Sequence, residues 1–235
     1  MLKNNQPKKI IKLIYLFLFI FSSVHLNAQN SGENKMGAWY MYNSSHKLSN
    51  KFALKTMAHF RYFETSSEFQ QEIYRLGANY SFNKKTNLTL GVSYSTGDLA
   101  YNEPSIHLYE FRFYEDLNTT SIWGNFTANH RFRLEHRFIH KNIFEDVTQN
   151  WFRYNLNVSY PISKNLSVYI FNELFLNIDR AKRFAQNWTG GGLLYKMNQN
   201  LKLKMGYFQI KLPTKVYRRL QLGVIVNTDF RKKII

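Results

Sequence analysis

The stretch His130-Arg131-Phe132-Arg133-Leu134-Glu135-His136-Arg137-Phe138 alternates its side-chain types with a period of two. Successive side chains of an extended strand point to opposite faces. Arg131, Arg133, Glu135 and Arg137 therefore share one face, and Phe132, Leu134 and Phe138 share the other. The same phase in other segments adds Arg61, Arg75, Glu110, Arg112, Arg153 and Glu173 to the charged face. Guanidinium and carboxylate groups in this pattern support two kinds of chemistry. They can pair with one another and hold a narrow space shut, since buried charges need partners and both signs are present. Alternatively, the surplus of Arg over Glu can form an anion-selective constriction or a site for an acidic ligand.

A second set of residues invites nucleophilic chemistry. Ser105-Ile106-His107 puts a serine and a histidine on one face of a strand, and His136 falls on the apolar side of another segment, near its outer end. A lipid hydrolase or deacylase would need the histidine to accept the serine proton and a third polar group to orient it. Serine and histidine are also ordinary residues at a membrane boundary, and residues two apart along a strand need not reach hydrogen-bonding geometry. These residues therefore define no catalytic assignment. His46, His59, His130 and His140 lack metal-ligand spacing and the chain has no cysteine, so no metal or other cofactor is expected. Gly190-Gly191-Gly192 falls within a strand pattern, where a bulge or close packing explains it better than a phosphate cradle.

The elements that position the charged face are short alternating strands. In residues 51–63, Phe52, Leu54, Thr56, Ala58, Phe60 and Tyr62 alternate with Lys51, Lys55, His59 and Arg61. The pattern predicts strands over 37–48, 51–63, 71–82, 88–97, 105–115, 122–139, 150–162, 166–178, 187–197, 201–211 and 218–230. Short turns are expected at 49–50, 83–87, 118–121, 163–165 and 198–200, and longer connections at 64–70, 97–104, 140–149, 179–186 and 212–217. Such a chain predicts an all-β fold, an antiparallel transmembrane β-barrel of about 10–12 strands with the short turns in the periplasm. Eleven candidate segments conflict with the usual even count. Either 37–48 is an inserted or peripheral piece beside ten strands, or a twelfth strand completes the wall.

Residues 1–28 read as a cleaved signal: Lys3, Lys8, Lys9 and Lys12 precede an apolar run from 13 to 21, and Leu26-Asn27-Ala28 suits a signal peptidase. Residues 29–235 then form a single barrel domain opening with a short polar segment, 29–36. The formal charge is +17, and removing the four signal lysines leaves +13. An exported protein meets lipopolysaccharide, phospholipid headgroups and anionic solutes rather than nucleic acid, so the positive charge points to those partners. The 16 Tyr and 20 Phe suit aromatic girdles at two membrane interfaces. Charges facing lipid at mid-membrane would cost about 2–4 kcal/mol each for Arg or Lys, which forces the charged face inward. A secreted soluble β-barrel or sandwich would show the same alternation with its apolar face inside. The aromatic density and Phe230 near the C-terminus favour the membrane.

The run from Arg131 to Phe138 resembles a family of uncharacterised bacterial outer-membrane barrels, domain of unknown function 2490. Glu110-x-Arg112, Asn172-Glu173-Leu174-Phe175, Gln186-Asn187, the stretch from Gly190 to Tyr195 and Gly206-Tyr207 extend the resemblance over essentially the whole exported chain. Trp188 departs from it, standing where an arginine commonly follows the Gln-Asn pair. The resemblance implies a barrel in the outer membrane of a Gram-negative bacterium, reached by Sec-type export and the barrel-assembly machinery. It implies no activity. A structural or narrow transport barrel with an arginine-rich lumen is the expected role, with a small anionic solute as a candidate ligand.

Overall fold

The computed structural model describes residues 32–231 apart from 102 and 143, with the side chains of 99, 100 and 103–106 also outside the description. The expected signal segment, 1–28, lies outside the described residues. Eleven strands follow in order: β1 (Met36–Lys47), β2 (Phe52–Tyr62), β3 (Phe69–Ser81), β4 (Thr86–Ala100), β5 (Glu103–Trp123), β6 (Phe126–Lys141), β7 (Phe144–Pro161), β8 (Leu166–Asn177), β9 (Phe184–Lys196), β10 (Leu201–Lys211) and β11 (Val216–Asp229). Each pairs antiparallel with its sequence neighbours, and β1 pairs with both β2 and β11 to close the barrel.

Eleven strands fall within the expected 10–12, and the closure replaces both arrangements expected for 37–48. Residues 37–48 are neither peripheral nor the partner of a missing strand; they are β1, inserted in the wall. An odd number of alternating strands leaves its first and last strand running the same way. β1 and β11 accordingly pair in parallel, in register from Met36↔Arg218 to Lys47↔Asp229. Parallel ladders use evenly spaced, slanted hydrogen bonds, so the seam satisfies the backbone without a twelfth strand. Gly37 allows it to close tightly, because a Cβ there would lie 2.5 Å from the Tyr62 carbonyl and 2.7 Å from the Arg219 side chain.

One end of the barrel carries the connections 48–51, 82–85, 124–125, 162–165 and 197–200; it is called the turn end. The other, the loop end, carries 63–68, 101–102, 142–143, 178–183 and 212–215. The expected turn at 118–121 is instead strand, and β5 continues to Trp123. The reversal falls on Gly124-Asn125, where Gly124 at φ 55° supplies the left-handed conformation that a two-residue hairpin demands. The connections 97–104 and 140–149 are likewise shorter than expected, because β4, β5, β6 and β7 extend past their apolar runs.

Outside, the strands present rings and aliphatic groups. Tyr40, Tyr42, Phe60, Phe111, Phe113, Leu134, Ile170, Met205 and Leu222 are among the exposed apolar residues. Rings pair across strands near both ends, as in Phe52–Tyr80 (5.1 Å) and Phe126–Tyr160 (5.0 Å) at the turn end and Tyr62–Phe69 (6.1 Å) at the loop end. The inside is unequal along its length. Inward residues of the loop half, including Trp39, Ile73, Ser95, Glu110, Phe175, Phe208 and Arg219, are buried. Inward positions of the turn half are mixed: Ser45, Asn118, Asn157 and Ser159 are small, polar and partly exposed, whereas Asn79, Thr89 and Tyr169 are buried. The loop half of the lumen is therefore the more completely filled.

Candidate functional site

The lumen network starts from period-two alternation in neighbouring strands, whose register brings like phases together. Pairing of Arg112 with Arg137, Asp116 with Arg133, and Arg133 with Arg153 sets these inward side chains side by side across β5, β6 and β7. Glu135, 1% exposed, lies at the centre. Its carboxylate accepts from Arg75 (3.2 Å), Arg112 (3.4 Å), Arg133 (3.3 Å) and Arg153 (2.8 Å). Glu110 takes Arg112 (2.5 Å) and Arg137 (2.5 Å) on the loop side. Glu173 takes Arg131 (2.6 Å) and Arg153 (2.6 Å) on β8, and Asp116 takes Arg133 in a two-pronged pair.

Nine of the ten sequence-derived lumen residues thus sit in one connected set of ion pairs: Arg75, Glu110, Arg112, Arg131, Arg133, Glu135, Arg137, Arg153 and Glu173. Arg61 does not join it by an ion pair. Its guanidinium lies 3.6 Å from the Trp39 ring centre and donates to Gln71 (3.0 Å). Aromatic rings also face other arginines: Arg137 lies over Trp151 (3.8 Å), Arg153 over Phe175 (4.1 Å) and Arg133 over Tyr114 (4.8 Å). A guanidinium is flat and weakly hydrated, so it tolerates stacking on a ring while its edge bonds a carboxylate.

Several members escape a reading of the sequence. Asp116 continues the inward phase of Glu110 and Arg112, but a turn placed at 118–121 ends that strand too early to include it. Arg219, fully buried, lies on the inward phase of β11, with Tyr217 (4.9 Å) and Phe63 (5.9 Å) against it. Trp39 and Phe208 are buried and the partly buried Trp188 packs against them, Trp39 lying 5.0 Å from Trp188 and 4.8 Å from Phe208. Trp188, the departure from the expected arginine, lies close to Arg61 and Arg153 (5.7 and 5.6 Å). The glycine run of β9 is close packing in regular register: a Cβ on Gly192 would lie 2.1 Å from the Met205 carbonyl.

On the turn side of Glu135 the lumen opens into a chamber of about 370 Å³. Seven Lys and Arg side chains line it against two carboxylates, Asp116 and Glu173. The lining also includes His59, Trp39, Trp188, Phe171 and Phe208.

The two candidate histidines do not converge. The side chain of Ser105 lies outside the described residues, and the His107 ring meets Asp98 (2.8 Å). His136 is mid-strand rather than near an outer end, bonded to Asn150 (2.7 Å) and near Glu115 (3.5 Å). It faces Phe113, six residues from His107, which separates the two by about 20 Å of strand rise. A different outward chain of polar groups exists near the turn end. Ser44 bonds His46 (2.8 Å) and Thr56 (2.5 Å), and His46 bonds Thr228 (2.7 Å). Ser44 is 7% exposed, so these groups satisfy one another on an otherwise apolar face rather than presenting a nucleophile. Among the described residues no group of His, Asp and Glu has the arrangement of a metal site.

A closed sheet with an apolar exterior and an ion-paired interior defines a β-barrel that carries its polar core inside. The sequence matches the family described as protein of unknown function, DUF2490, over residues 36–219, and the chain belongs to that family. Among solved structures it is similar to LpxR from Salmonella typhimurium, with 8% identity over 75% of this chain and 83% of that chain and a TM-score of 0.41. No curated protein matches the sequence.

Proposed function

We propose that this protein is an outer-membrane β-barrel whose lumen is shut in its loop half and open from the turn end as a blind chamber. The observation that carries this reading is the Glu135 cluster, where four guanidinium groups converge on one buried carboxylate in the middle of the lumen. The membrane assignment draws on the apolar, ring-rich exterior, because lipid accepts a closed barrel whose backbone is fully paired. With the short turns in the periplasm, the chamber opens to the periplasm and the plugged half faces outward. Phospholipid and lipopolysaccharide then surround the wall, and the exported chain reaches the membrane through the assembly machinery of a Gram-negative cell. The surplus of cations in the chamber favours a second reading, a narrow anion path, in which the cluster parts to let a small anion through.

Single-channel recording of the refolded exported chain in a planar bilayer separates the two. The blind-chamber reading expects a folded, silent barrel. Steady anion-selective current, lost when Arg133 and Arg137 are neutralised, would overturn it in favour of the path.

A further inference from the structure

The chamber concentrates hydrogen-bond donors that the protein leaves unused. The Nε atoms of Arg61 and Arg131, the indole N–H groups of Trp39 and Trp188, and the amide nitrogen of Gln221 are buried without a hydrogen-bond partner. All five side chains line the chamber. A buried donor without an acceptor is costly, so an acceptor that enters this space and reaches these groups relieves that cost. Lys204 strengthens the bias. It lines the same space, pairs with no carboxylate among the described residues, and rests over the Tyr169 ring (4.5 Å).

We propose that the chamber binds a small organic oxyanion, a carboxylate or phosphate carried on a compact apolar body. This rests on the blind-chamber reading above and names the ligand class of that space. The oxyanion supplies several acceptor lone pairs at once and meets the three lining cations, Lys55, Arg61 and Lys204, that pair with no carboxylate among the described residues. The apolar body meets the ring cluster of Trp39, Trp188 and Phe208, with Phe171 against it. A volume of about 370 Å³ is at the scale of a small-metabolite site and far below that of a folded peptide segment. Entry is from the turn end, past the small polar side chains described above.

Phenyl phosphate is the probe. Indole fluorescence of the refolded exported chain is followed on titration at constant ionic strength, with inorganic phosphate as the comparison. The expected result is a saturable change for phenyl phosphate at about tenfold lower concentration than for inorganic phosphate. Lys204→Met strands no carboxylate, so it should keep heat-modifiable migration while weakening phenyl phosphate by about tenfold, the loss of one charge-assisted hydrogen bond. Lys84→Met, in an exposed turn, should leave binding unchanged. Competition by dihexanoyl phosphatidic acid would assign the anion to a lipid headgroup, and its failure to compete would assign it to a free solute; both keep the proposal. Absence of saturation, equal affinity for the two phosphates, or equal effects of the two lysine variants would overturn it. Silent bilayers with no binding would refute the ligand alone, whereas current through the barrel would refute the blind chamber whatever binds.

Discussion

Replacing Glu135 with Gln tests whether the lumen is held by a shared carboxylate. Four charge-assisted bonds at about 1.5–3 kcal/mol each would suggest a loss of about 6–12 kcal/mol if they counted independently. The structure argues for less. Arg112 keeps Glu110 (2.5 Å), Arg133 keeps Asp116, and Arg153 keeps Glu173 (2.6 Å). Arg75 retains one hydrogen bond, to the Ser93 hydroxyl at 3.4 Å, and the Tyr114 ring at 5.5 Å, so a single buried cation is left without a carboxylate. Breaking one buried pair in this way costs about 3–5 kcal/mol, which is the expected loss for Glu135→Gln. Adding Arg75→Met removes the stranded charge and should restore about 1–3 kcal/mol relative to additive costs. Equilibrium urea unfolding from lipid vesicles, followed by tryptophan fluorescence, reads both quantities. A loss below about 1 kcal/mol for Glu135→Gln, or strictly additive costs in the double variant, would refute the idea that Arg75 depends on Glu135.

Two further outcomes follow from the loop end and from the direction of β1. At the loop end, Lys35 (2.8 Å), the Tyr101 hydroxyl (2.6 Å) and Ser67 (2.9 Å) bind the Glu64 carboxylate and hold its pKa down to about 2 from 4.5. A depressed carboxyl pKa stabilises the fold above the unfolded value near 4.5, and that contribution is lost as pH falls through about 2. A carboxyl-carbon NMR titration should find Glu64 near 2 and show it rising toward 4.5 in Lys35→Met; an unchanged midpoint would remove Lys35 as the principal cause. Because β1 descends from the loop end, a membrane-impermeant maleimide should label Asn34→Cys on intact cells and Gln199→Cys only after the outer membrane is opened. The reverse pattern would invert the proposed orientation.

Alternation was enough to locate the strands, because an extended chain that faces apolar surroundings on one side and charge on the other must change residue type at every step. That rule is local, and it also placed Arg131, Arg133, Glu135 and Arg137 on one face. What it could not supply was the length of β5. Asn118-Thr119-Thr120-Ser121 has turn-forming composition, yet the sheet continues through it and reverses at Gly124-Asn125. The misplaced turn hid Asp116, the partner of Arg133. Closure was equally out of reach, since the choice between Val216–Asp229 meeting β1 or β2 depends on residues some two hundred positions apart. Arg219 illustrates the same limit: nothing adjacent in sequence announces that it will pack beneath Gly37. The ring contacts of Trp39, Trp151 and Trp188 on arginines belong to this class, because alternation reports which face a side chain occupies but not its neighbour across the lumen.

The parallel seam between β1 and β11 carries a consequence for the ancestry of such barrels. Duplication or loss of a hairpin changes a barrel by two strands and preserves parity, so no number of hairpin events converts an even barrel into this one. Gain or loss of a single strand at one edge changes the parity, and it carries one edge strand's free end to the opposite mouth of the barrel. The start of β1 at Met36 and the end of β11 at Asp229 lie at opposite mouths of the barrel, too far apart for a short linker to join them. A circularly permuted version of this wall would therefore need a connector running the height of the barrel, through the lumen that the arginines and carboxylates occupy or over the apolar outer face.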